Sequence, residues 1–125
     1  MVYTKNEIDS TMNWNKLETI EQLKKIQEQS KEKQVLIFKH STRCSTSRMA
    51  LDRLERNWKN EDMVNIEPYY LDLISYREIS NQISHQYGID HQSPQVLIIR
   101  NGEAIYDSSH FDIDYDAIHK TTSSK

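Results

Sequence analysis

Cys44 is the one cysteine in a chain of 125 residues. An internal disulfide is therefore excluded, any thiol chemistry must run between molecules, and a cysteine-based metal centre would need ligands from elsewhere. The histidines, His40, His85, His91, His110 and His119, show no metal-ligand spacing; each reads as a surface or packing residue, and no metal is expected. The sulfur follows the apolar run Val35-Leu36-Ile37-Phe38 and the polar turn His40-Ser41-Thr42-Arg43. A strand that turns into a helix places the thiol at the first helical position, where backbone N–H groups and the positive dipole end favour a thiolate. Arg43 and Arg48 add nearby cations, and Ser45, Thr46 and Ser47 bring hydroxyls able to donate to sulfur. The ordinary alternative is a buried, inert cysteine. On these residues alone the two readings stand level.

The elements that must position the thiol follow from apolar periodicity. Leu17, Ile20, Leu23 and Ile26 predict an amphipathic helix over residues 15–30. The unbroken Val35 to Phe38 run suits a central strand covered on both faces. Ala50, Leu51, Leu54 and Trp58 share one face of a second helix, with Cys44 at its start. Tyr69 to Leu73 has strand character, and Pro68, lacking a ladder donor, suits an edge strand or a first residue. Ile79, Ile83 and Tyr87 mark a third helix ended by Gly88. Val96 to Ile99 and Ala104 to Tyr106 form antiparallel strands joined by the hairpin signal Asn101-Gly102. Asp112 is expected to cap a last helix whose first turn holds Asp114 and Asp116.

The length fits a single domain over residues 1–125, with residues 1–13 and 121–125 expected to be frayed. Apolar residues make up 36% and charged residues 28%, enough clustered hydrophobicity for one core, so global disorder is excluded. No apolar run approaches a membrane span and Met1 to Asn13 carry no secretory pattern, so a soluble, cytoplasmic protein is expected. With 16 basic and 19 acidic residues the formal charge is −3, which makes nucleic acid a poor partner; with no apolar span, no membrane partner is expected either.

The order βα, βα, X-Pro, β-hairpin, helix resembles the thioredoxin fold: Phe38 through Cys44 as strand, turn and helix start, then Tyr87-Gly88-Ile89, Ser93-Pro94, Val96 to Ile99 and Asn101-Gly102-Glu103. The expected architecture is α/β, with a central mixed four-stranded sheet flanked by helices and the Ala104 strand on an edge. The resemblance implies that Pro94 is a cis-proline facing the thiol. Where thioredoxins carry Cys-x-x-Cys, this chain has Cys44-Ser45-Thr46-Ser47, the pattern of a monothiol redoxin. Phe38-Lys39-His40-Ser41-Thr42, Ser93-Pro94-Gln95-Val96 and Ser109-His110-Phe111-Asp112-Ile113 are similar to the monothiol bacilliredoxin family (the YtxJ or bacilliredoxin C group), from about Trp14 to Ile118. Members of that family usually carry Pro after the cysteine; Ser45 stands here.

That resemblance implies a thiol-disulfide oxidoreductase of redox homeostasis in which Cys44 is catalytic and removes bacillithiol from S-bacillithiolated client proteins. Bacillithiol is the implied co-substrate, with no resident cofactor, and free bacillithiol or another redoxin is the implied reductant. Thr42, Arg43, Ser47, Ser93 and Pro94 are the implied substrate-binding residues, Arg43 meeting carboxylates of the adduct and Ser47 standing where a second cysteine would sit. Two alternatives differ in kind. A non-catalytic thioredoxin-fold binding module would use the Pro94 groove while Cys44 stays idle. Cys44 to Arg48 also resembles the start of glutaredoxin-type arsenate reductases, a match of five residues without a further arginine cluster for an oxyanion.

Overall fold

The computed structural model describes residues 12–123. In chain order the elements are β1 (Asn15–Lys16), α1 (Ile20–Gln29), β2 (Gln34–His40), α2 (Ser45–Asn57), β3 (Ile66–Asp72), α3 (Arg77–Tyr87), β4 (Gln95–Arg100), β5 (Glu103–Ser109) and α4 (Tyr115–Ser123), with 3-10 turns at Asn60–Asp62 and His110–Asp112. They form one mixed sheet in the order β1-β3-β2-β4-β5. β3 lies parallel to β1 and β2, while β2/β4 and β4/β5 are antiparallel. The α/β order expected from the sequence is present, with β2 inside the sheet and β5 on its edge.

β2 shows why this sheet is two-sided. Leu36 and Phe38 point into a core shared with α2 and α4, including Ala50, Leu54 and Ile118. Val35 and Ile37, one residue out of phase, point into a second core with Leu23, Ile26, Ile79 and Ile83 of α1 and α3. At about 1.5–3 kcal/mol for each fully buried aliphatic or aromatic side chain, this strand alone contributes strongly to the fold. The Asn101-Gly102 turn closes the hairpin with both residues at positive φ (52° and 76°). At residue 102 the positive φ is the reason glycine suits the position; a Cβ there would also displace the end of the Gln27 side chain.

Six expectations need correction. The sheet has five strands among the described residues, because Asn15 and Lys16 pair with Tyr69 and Tyr70 of β3 instead of opening α1. The helix starts at Ile20, where Thr19 and Gln22 form a reciprocal capping box. β2 runs on through Lys39 and His40, both buried, because their main chains pair with Leu71 and Asp72; the polar turn begins only at Ser41. Asp114, not Asp112, caps α4, its carboxylate accepting the Ala117 amide at 3.1 Å, and Asp112 sits in the preceding 3-10 turn. α4 continues through residues 121–123 with Thr122 buried, so fraying does not begin at 121. The expected frayed segment at 1–13 lies outside the described residues except for Met12, which is buried, and Asn13. Pro68 departs from expectation too: it is the third residue of β3, which β1 makes an interior strand, and it is accommodated because its carbonyl, accepting from the Asn15 side chain at 3.1 Å, faces the side where β1 is only two residues long.

Candidate active site around Cys44

β2 delivers the chain to one end of the sheet, and the Ser41-Thr42-Arg43 turn is closed by the Cys44 amide donating to the Ser41 carbonyl at 3.1 Å. Cys44 is the N-cap of α2, with extended φ and ψ of −110° and 120°, one position outside the helix and not its first residue. Its carbonyl accepts the first helical bond, from the Arg48 amide at 3.1 Å, and its side chain makes no capping bond. The first amides of a helix have no partner within it. Cys44, half-buried, therefore stands at the end of α2 where the unpaired helical donors and the positive dipole end lie. Thr42 and Arg43 are exposed on the turn beside it.

The second wall comes from β4. Gln95 pairs with Lys39 near the end of β2, so Ser93 and Pro94 stand just ahead of that ladder, at the end of the sheet that carries the Cys44 turn. The Ser93-Pro94 bond is cis, as expected, and Pro94 is buried while Ser93 is half-buried. The Pro94 carbonyl accepts the His110 amide at 3.1 Å. This bond ties the 3-10 turn to Pro94, and on that turn Phe111 is 72% exposed.

Ser47 is placed differently from its expected role. It is fully buried, and its hydroxyl accepts the Ser41 amide at 3.0 Å while lying 2.7 Å from Nδ1 of His40. Burial is the largest influence on His40 and lowers its pKa; Arg48 acts the same way, against Asp72 and Asp52. Ser47 Oγ has two partners beneath the turn, the Ser41 amide and the His40 ring. Ser47 thus anchors the turn from beneath instead of meeting substrate.

His40 is the residue that a turn reading of this segment hides. Leu36, Phe38 and His40 share one strand face, so period-two alternation was the available signal. Its ring lies 5.6 Å from Tyr70 and 6.1 Å from Phe38. Trp14 packs edge-on against the same two rings, with its Nε1–H donating to Glu55 at 2.8 Å. No cluster of His, Cys, Asp and Glu suited to a metal ion occurs among the described residues. No helix among them is long and apolar enough to cross a membrane.

Comparison with known proteins agrees with this geometry. A family model described as monothiol bacilliredoxin BrxC matches residues 15–118. A solved structure described as having a thioredoxin fold is similar at 30% identity, with 84% of this chain and 89% of that one covered and a TM-score of 0.72. Thioredoxin of Malassezia sympodialis is similar at 17% identity over 94% and 97% of the two chains, TM-score 0.71. Fasciola hepatica thioredoxin is similar at 16% over 86% and 95%, TM-score 0.66. The last two likenesses establish the fold alone.

Proposed function

The chain belongs to the monothiol bacilliredoxin family, and from that premise we propose that it removes bacillithiol from mixed disulfides on client proteins through Cys44. Thiol-disulfide exchange is the chemistry of the family; the substrate is the inferred part. The observation that carries it is the placement of the one thiol, half-exposed at the start of α2, with the hydroxyl of Ser47 three residues on already committed to His40.

The thiolate of Cys44 attacks the bacillithiol sulfur of the client mixed disulfide. One S–S bond breaks, a new one forms between Cys44 and bacillithiol, and the client leaves as a thiolate that takes a proton from water. With no second cysteine in the chain, the new disulfide cannot be resolved internally. A free bacillithiol thiolate then attacks the bacillithiol sulfur, releasing bacillithiol disulfide and restoring Cys44. Another redoxin could take the place of that reductant.

The client chain would lie across the groove with its main chain beside Ser93 and Pro94, and Thr42 and Arg43 would form the facing wall. A guanidinium fork on Arg43 suits the adduct's carboxylates. Exposed Phe111 would meet an apolar client side chain. The test uses a client protein carrying bacillithiol, catalytic amounts of this protein and excess free bacillithiol. Client thiols should reappear over many turnovers with wild type and not with Cys44→Ser; equal recovery with both would overturn the proposal.

A further inference from the structure

Lys39 is fully buried, and its ammonium meets a carbonyl, a hydroxyl and an imidazole. It occupies the α1/α3 face of β2, one residue before His40 turns to the other face. Its Nζ donates to the Ser80 carbonyl at 3.1 Å and the Ser84 hydroxyl at 3.2 Å, both on α3, and lies 3.4 Å from Nδ1 of His91. Ser80 Oγ is also 3.2 Å from that nitrogen. An ammonium can only donate, so in its contact with Lys39 the Nδ1 nitrogen serves as acceptor. His91 belongs to the segment between α3 and Pro94. The same segment is tied by buried Gln95, which donates to the Asp90 carbonyl at 2.9 Å and accepts from the Gln92 amide at 3.3 Å.

We propose that Lys39 is a positioning residue for the exchange reaction: with His91 it fastens the 89–93 segment to β2 and α3, and so sets the wall of the groove that faces Cys44. Successive residues of β2 then hold the two walls, Lys39 the Pro94 side and His40, through Ser47, the Cys44 side. This rests on Cys44 being the exchanging thiol. A buried ammonium is expensive unless its protons are received, and three acceptors drawn from α3 and the segment before Pro94 meet all three protons of this one.

The fastening has a pH range. Partial desolvation of the ring, then Lys39, then Arg77 hold His91 below its ordinary pKa, which favours the neutral ring. Protonation would set two cations side by side and remove the acceptor. Burial lowers Lys39 to about 8, above which it loses a donor proton. The titratable groups acting here are thus Lys39 from β2, His91 itself and Arg77 from α3; Gln95 from β4 and Leu71 from β3 are uncharged.

The full chain, as wild type, Lys39→Met, His91→Arg and His91→Gln, would be compared by hydrogen exchange at pH 7. Lys39→Met and His91→Arg should speed exchange in 89–93 by roughly tenfold or more, as a locally opened segment does. They should slow removal of bacillithiol from a client while leaving reaction with a small neutral disulfide unchanged. His91→Gln keeps a neutral acceptor and should match wild type at pH 7. It should also lack the loosening that wild type shows as pH falls below the imidazole range, once intrinsic exchange is corrected for. Because His91 is exposed, its variants report even if Lys39→Met fails to fold. Equal exchange in 89–93 for wild type and His91→Arg, or a His91→Gln protein as loose as His91→Arg, would overturn the proposal. If wild type transferred no bacillithiol, the assignment of Cys44 would fail while the exchange comparison still decided the fastening.

Discussion

Ser47 Oγ and His40 Nδ1 stand 2.7 Å apart beneath the Cys44 turn, so the residue three positions after the thiol is bonded to the strand that feeds the turn. The same oxygen receives the Ser41 amide at 3.0 Å. One buried hydroxyl therefore joins the end of β2, the turn and the first turn of α2.

Ser47→Ala removes that junction and leaves the half-buried Ser41 amide and the buried His40 ring without their partner. Folding stability should fall by about 1–3 kcal/mol, the cost of stranding buried polar groups. Chemical denaturation measures it, and an unchanged midpoint would mean that the junction contributes nothing.

His40 predicts a pH dependence. A histidine whose pKa is lowered on folding takes up its proton more readily when unfolded. Its contribution is complete above the ordinary value of 6.5 and is lost as pH falls from there toward the lowered one. His91 acts in the same direction. Stability measured from pH 8 to pH 5 should therefore decline less steeply below 6.5 in His40→Gln than in wild type, with His91 common to both. Parallel curves would remove His40 as a titrating group in the fold.

Phe111→Ala tests the client surface. The ring is exposed on the turn tied to Pro94, so stability should change by no more than about 0.5 kcal/mol. Removal of bacillithiol from a protein client should slow several-fold, and reaction with a small neutral disulfide should not. Equal slowing of both reactions would place the effect on the thiol instead.

Arg43→Ala separates charge recognition from general influence on sulfur. It should slow release of bacillithiol, whose carboxylates suit a guanidinium, more than it slows reaction with a small neutral disulfide. Matching rate losses would discard the binding role of Arg43.

Much of the fold is legible in local pattern: the apolar runs of β2 and β4, the faces of α2 and α3, and the Asn101-Gly102 hairpin all announce themselves within a few residues. What escapes is non-local. Asn15 and Lys16 become a strand only because Tyr69 and Tyr70 lie beside them. The strand is expected to stop at Phe38 and His40 to open the turn, because polar residues rarely end a buried strand without partners. Here the partners are Ser80, Ser84 and His91 for Lys39 and Ser47 for His40. The site follows the same division. The position of Cys44 is readable from strand, turn and helix, whereas the commitment of Ser47 to His40 depends on how the turn folds back.

The most direct test of bacillithiol transfer is an intact-mass time course of this protein mixed with an equimolar client carrying bacillithiol, in the absence of free bacillithiol. The adduct mass should leave the client and appear on wild-type protein at Cys44 at matching rates, and neither change should occur with Cys44→Ser. Loss of the adduct from the client with no gain at Cys44, or at the same rate with Cys44→Ser, would contradict transfer through this thiol.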